Sequence, residues 1–187
     1  MIMSFANPLG VGLTSDGEYV DIELVRPIAS KEAVRRLNET SANGIEVVSF
    51  VEIPDDKKSG GMAIVAAADY LVSSKKEAFP EEWKNSGIKF MSQEAVCVVK
   101  KTKKSEKEVD ILPMIHQFEV RDNGIFMQLA AGSEQNLKPG LVMEAFCDYV
   151  GYEYCESDCH FHRLEMYAKG TDDKSFISLE SLGKEIL

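Results

Sequence analysis

The stretch "FEVRDNGIFMQLAA", Phe118 to Ala131, constrains the fold more than any other part of this chain. Two arms of alternating apolar and polar residues flank Asn123-Gly124, a pair that supplies the positive φ demanded by a tight hairpin. A two-residue connection joins only antiparallel strands, so the fold must contain an antiparallel sheet. Its neighbours in sequence supply the rest of that sheet. Met62 to Val72 reads as a strand, and Glu94 to Lys101 reads as another through Val96, Cys97, Val98 and Val99. Phe161 to Ala168 is the last strand. Between them, Phe79 to Gly87 predicts a short helix, with Pro80, Glu81 and Glu82 suited to its first turn. Pro139 opens a second helix through Tyr149, with Leu141, Val142, Ala145, Phe146 and Tyr149 on one apolar stripe.

The earlier part is shorter. Tyr19 to Leu24 alternates at period two and predicts a strand with one wet face. Ser30 is a candidate N-cap for a helix over Lys31 to Glu39, and Asn43-Gly44 is its stop. Ile45 to Ile53 predicts a further strand. "PDDKKSGG", Pro54 to Gly61, is a polar breaker and marks a boundary. The order of elements after it, β-α-β, a hairpin, then α-β, is the split β-α-β (ferredoxin-like) plan with one added strand. The elements before it are the same plan without its opening strand and helix. The expected class is therefore α+β, with two ferredoxin-like lobes: residues 1–58, incomplete, and residues 59–187. An incomplete lobe leaves a sheet edge unpaired, and such an edge recruits a second copy of the chain or is capped by the 170–187 tail.

The totals fit one domain of ordinary size or two small lobes. The chain has 187 residues, 44% hydrophobic and 28% charged, with a net charge of −10. No apolar run approaches the roughly 20 residues that span a bilayer. The N-terminus lacks a basic segment followed by a continuous apolar one, so no export signal is read there. Four unevenly spaced cysteines are not a disulfide framework, and they suit a cytoplasmic protein with reduced thiols. The acidic total argues against a whole surface that attracts polyanions, though not against a local basic patch.

Three features invite a chemical reading. Gly10, Gly12 and Gly17 fit neither a dinucleotide fingerprint nor a P-loop, because no Gly-Lys-Ser/Thr follows. They are read as a connection between strands, with Gly17 in a tight turn. "CESDCHFH" brings Cys155, Asp158, Cys159, His160 and His162 together. Thiolates and imidazoles are zinc ligands, but a structural site usually draws on two separated pairs and no second pair exists. If Phe161 lies in a strand, His160 and His162 share one face of it. Spatial partners for them would be His116, Cys147 or carboxylates, and His116 itself reads as a packed or surface residue. The third feature is an island of lysines, Lys100, Lys101, Lys103, Lys104 and Lys107, in an otherwise acidic chain. Clustered lysines neutralise phosphates, while a solvated loop guarding a sheet edge uses them equally well. No aromatics that could stack on bases are interleaved with them.

Four stretches, "SFANPLGVGLTSDGEYVDIEL", "RRLNETSANGIEV", "KKTKKSEKEVDILPMI" and "LAAGSEQNLKPGLVMEAF", occur in this order. Together they resemble the radical-SAM-linked protein family, a bacterial domain of unknown function found fused to, or encoded beside, radical SAM enzymes. Leu9, Gly10, Glu18, Tyr19, Asp21, Asp110, Asn136 and Pro139 carry the likeness. The resemblance implies a radical SAM protein as partner, and a chain that is its companion, since the three-cysteine cluster loop of such enzymes is absent. Members of that family usually begin earlier, with a strand and a helix that this sequence lacks.

The leading expectation is thus a non-catalytic accessory protein that acts with a radical SAM enzyme, in RNA modification or processing. It carries no cofactor of its own. The alternatives are a stand-alone RNA-binding module, and a metal-dependent enzyme that uses zinc at Cys155, Cys159, His160 and His162.

Overall fold

The computed structural model describes residues 3–53, 60–101, 106–170 and 175–187. The fold mixes four α-helices with three sheets among these residues, as the α+β expectation required. The main sheet is built around β4 (Val65–Ser74) and β9 (Cys159–Lys169), which pair antiparallel. On the other side of β4 runs β8 (Gly124–Ala130), and β7 (Ile115–Arg121) follows it as the outer strand, both antiparallel. The far edge of β9 is completed by two short strands. β2 (Leu13–Ser15) lies parallel along Phe161–Arg163, and β10 (Phe176–Ser178) lies antiparallel along Tyr167–Lys169. The tail beyond 170 therefore caps an edge, as expected, but it is the edge of the main sheet.

Two helices, α3 (Trp83–Met91) and α4 (Pro139–Val150), take part in the single core. Phe90 and Phe146, both fully buried, meet with ring centroids 5.3 Å apart, and Phe118 of β7 closes on Phe146 at 4.9 Å. Ala68, Tyr70 and Val72 of β4 alternate into the same core, with Ile125, Met127 and Leu129 of β8. Pro139 stands in the first turn of α4, where its missing N–H costs nothing. Gly151 ends that helix at φ 71°, and the Tyr152 N–H reaches back to the Cys147 carbonyl.

Several expected boundaries move. The Asn123-Gly124 hairpin is present, but its two-residue turn is Asp122-Asn123, since Arg121 pairs with Gly124. The stretch 62–72 divides into a short helix, α2 (Gly61–Ile64), and β4. The helix expected at Phe79 begins at Trp83, because the chain first makes a turn in which Pro80 accepts from the Trp83 N–H. The strand over 94–101 narrows to β5 (Cys97–Lys101), and it is not part of the main sheet. It pairs with β6 (Glu106–Asp110), a strand whose charged sequence gave no periodic signal.

Residues before 54 differ more. β1 (Met3–Phe5) and β3 (Val20–Ile22) form a two-stranded sheet, and α1 runs Ser30–Thr40. Ser30 is the first residue inside that helix, and its hydroxyl accepts from the Ile186 N–H, so it does not cap. The strand expected over 45–53 does not form: Ile45 and Val48 are exposed, and only Glu52 bridges, to Lys184. Alternating residues with no partner strand gain nothing from extended pairing. Gly17 sits in open space outside any tight contact. The breaker residues 54–59 lie outside the described residues.

Candidate functional site

The polar groups that gather in space lie along β9, where residues 14–19 run beside it. β2 lies parallel to β9, so Thr14 is opposite His162 and Ser15 opposite Arg163. Thr14 Oγ1 sits 2.6 Å from His162 Nδ1 and 3.0 Å from His160 Nε2. His162 Nε2 sits 2.8 Å from Asp16 Oδ1. A carboxylate only accepts, so His162 donates from Nε2. With a neutral ring, Nδ1 then accepts from the Thr14 hydroxyl, whose oxygen is left to accept from His160. The result is a relay, His160 to Thr14 to His162 to Asp16, across one strand pair.

One residue further, the side chain points the other way. Arg163 is buried at 2% exposure and donates to the Glu18 carboxylate and to the Asn7 carbonyl. Its Nε is buried with no hydrogen-bond partner among the described residues. Tyr19 donates to Glu165 at 2.7 Å, and Ser178 of β10 donates to the other oxygen of the same carboxylate at 3.0 Å. Burial, and then the Glu165 carboxylate beside it, push the Tyr19 hydroxyl up to about 12. Deeper in the sheet, Asp69 accepts from Tyr167 at 2.7 Å and from Gln128 at 2.9 Å. Burial and that carboxylate raise the Tyr167 hydroxyl as well.

The residues named from the resemblance take structural places. Glu18 and Tyr19 pin the N-terminal segment to β9. Asp21 Oδ2 accepts from the Gly61 N–H at 2.7 Å, holding the start of α2. Asp110 Oδ1 accepts from Val96 and Leu112, which ties off the base of the β5–β6 arm. The Gly10 carbonyl accepts from the Leu13 N–H, and Pro139 opens α4. Leu9 is half-buried and Asn136 is exposed.

The cysteines and histidines of "CESDCHFH" go to different surroundings. Cys159 is buried, Cys155 is exposed with its Sγ 3.1 Å from Ser157 Oγ, and the two histidines face Thr14. No group of three or more His, Cys, Asp or Glu side chains among the described residues is placed to hold a metal ion. Both cysteines line a cavity of about 360 Å³ beside Trp83, Cys147, Tyr152 and Tyr154. Burial pushes the Cys147 thiol up to about 11 and raises Cys159 also. His116, on β7, lies 4.8 Å ring to ring from Phe176; partial desolvation of its ring and then Lys169 lower its affinity for a proton.

The lysine island falls on the β5–β6 arm. The register sets Lys100 opposite Lys107 and Lys101 opposite Glu106, and Lys107 is exposed. Lys103 and Lys104 lie outside the described residues.

Sequence reasoning found the shared face of His160 and His162 but missed Thr14, Asp16 and Arg163. A signal for Arg163 was present: it falls at the same alternation as Phe161, an inward position where a cation requires a partner. Nothing in sequence pointed to β2, where Thr14 pairs with His162, 148 residues away.

No helix among the described residues is long and apolar enough to cross a membrane. No curated protein and no solved structure matches the chain. A family model described as an uncharacterized protein conserved in bacteria (DUF2344) matches residues 1–139. That span holds Thr14, Asp16, Glu18 and the lysine arm, and ends where α4 begins, before β9. On a match across most of its length, the chain belongs to this uncharacterised bacterial family.

Proposed function

We propose that this chain is a cytoplasmic accessory protein that acts beside a radical SAM enzyme and presents an RNA to it. The partner rests on the ordered motifs from Ser4 to Phe146. The observation that carries the RNA is the β5–β6 arm. It is a two-stranded sheet of its own, outside the main sheet, with Lys100 and Lys107 at one cross-strand position. Like charges directly opposite one another oppose pairing, and a phosphate backbone relieves that cost. The main-sheet order β9-β4-β8-β7, antiparallel throughout, supports reading residues 59–187 as a split β-α-β (ferredoxin-like) lobe with the arm inserted. β2 attaches residues 1–58, read as the incomplete lobe, to the edge of that sheet. A second copy would meet the outer edge of β7, which has no strand partner among the described residues.

The test is binding of a fluorescent single-stranded RNA, followed by anisotropy over a range of salt. Changing Lys100, Lys101, Lys103, Lys104 and Lys107 to glutamine should flatten the log-log salt slope by about 3.5, at about 0.7 per lysine. Co-purification with a radical SAM protein encoded beside it tests the partner separately. RNA affinity that is unaltered by the five changes would remove the arm from the proposal.

A further inference from the structure

The cavity of about 360 Å³ lies at the N-terminal end of α3, where Trp83 meets the segment that follows α4. Its size is within the range of small-molecule pockets. Trp83 lies flat on Phe79 with centroids 5.3 Å apart and planes at 17°, and Tyr152 stands edge-on to Trp83 at 5.3 Å and 84°. Tyr152 is 58% exposed, so an aromatic ring faces solvent beside this cluster without a fold-level reason to do so. Carboxylates surround the aromatics: Glu77, Glu153 and Asp158 also line the cavity. Asp158 is held by Lys76 at 2.6 Å, whereas Glu77 and Glu153 have no ion-pair partner among the described residues. The Tyr154 hydroxyl on the same wall is closed off from solvent with no hydrogen-bond partner among the described residues. The buried thiols there, Cys147 and Cys159, stay protonated near neutral pH and add a neutral, polarisable wall.

We propose that this cavity binds an organic ammonium ion, held against Tyr152 and the Phe79–Trp83 pair and neutralised by Glu77 and Glu153. Aromatic faces attract cations through their quadrupole, most strongly where water is partly excluded. Unpaired carboxylates at the rim repel phosphate, so the site is separate from any that an RNA backbone occupies on the arm. Cation binding here is independent of the radical SAM and RNA reading.

Trp83 is the single tryptophan of the chain, so tryptophan fluorescence follows a residue of this wall. The experiment titrates the full chain with choline and, in parallel, with 3,3-dimethylbutan-1-ol, its uncharged isostere. Choline should produce a saturable change in emission, and the alcohol should bind about tenfold more weakly. Tyr152→Ala and Glu153→Gln, both at the rim, should each weaken choline, read as the midpoint of each variant's own titration. Equal affinity for the two probes, or no saturable change with choline, would overturn the proposal. Choline affinity unchanged in both variants would overturn it equally.

Discussion

The guanidinium of Arg163, buried in β9, donates to the carboxylate of Glu18, which precedes it by 145 residues. The pair joins the N-terminal segment to the longest strand of the sheet. Removing one partner of a buried pair leaves a charge in a poor solvent, and costs more than the pair itself contributes. Glu18→Gln should lower unfolding free energy by about 3 kcal/mol in urea denaturation. Arg163→Met with Glu18→Leu should cost less than either single change. A double variant whose loss equals the sum of the singles would show that the two residues are not coupled.

The Thr14 hydroxyl is held between two imidazoles. Thr14→Val keeps the shape of the side chain and removes the oxygen, at a cost of about 1 kcal/mol. Because the loss is local to β2, the amides of Leu13 to Ser15 and their partners on β9 should exchange faster, while those of β7 and β8 keep their protection. Uniform acceleration throughout the sheet would count against a seam that opens by itself.

The four cysteines should separate into two classes. Cys97 and Cys155 are exposed, and Cys147 and Cys159 are buried. Ellman's reagent at pH 8 should modify two thiols at once and the other two only after denaturant is added. Stability follows the same asymmetry. Cys147 is raised on folding from 9.0 to about 11, so the folded state keeps a proton that the unfolded chain releases. Its contribution is intact below pH 9 and is lost as pH rises through about 11. Cys147→Ala should flatten that decline in the urea midpoint.

Asp110 receives two backbone N–H groups, from Val96 at 2.9 Å and Leu112 at 3.0 Å. Asp110→Ala orphans both and should cost about 1–2 kcal/mol. The measurable signature is faster exchange at the base of the arm. If RNA affinity falls as well, arm orientation matters to binding.

Two glycines should respond in opposite directions. Gly124 has φ 150°, and a Cβ there would lie 2.5 Å from the Val72 carbonyl oxygen. Gly124→Ala should destabilise by about 2 kcal/mol or more. Gly17 has open space around it and no positive φ, so Gly17→Ala should be neutral or stabilising by about 0.5 kcal/mol. Thermal melts of the two variants compare them directly.

Where a segment carries its own reason to fold, its sequence was enough to read it. The hairpin of β7 and β8, the Pro139 helix and the long strand β9 each have a periodic apolar face that meets the core, and each was read within a few residues. The 45–53 stretch has a similar pattern but no partner, and exposed Val48 shows what alternation is worth without one. β6 is the converse: "EKEVD" has almost no apolar signal, yet it pairs because β5 lies beside it. The candidate site divides in the same way. The common face of His160 and His162 follows from strand geometry, whereas Thr14, Asp16 and Glu18 reach β9 only through tertiary placement. The aromatic wall at Trp83 needed three separate segments to converge.

The outer edge of β9 is closed by residues 13–15 and by residues 176–178, drawn from near the two ends of the described chain. During synthesis, then, the first of these segments must wait until Phe161–Arg163 has emerged before it can pair. Loop closure across such a separation is slow. Until β9 has emerged, Glu18 has no Arg163 to meet, and β4 displays a bare edge to its surroundings. The order of events is accordingly fixed by translation: β4, β7 and β8 can assemble first, β9 completes them, and β2 docks only after β9. A nascent chain halted before residue 159 should be the most aggregation-prone form of this protein.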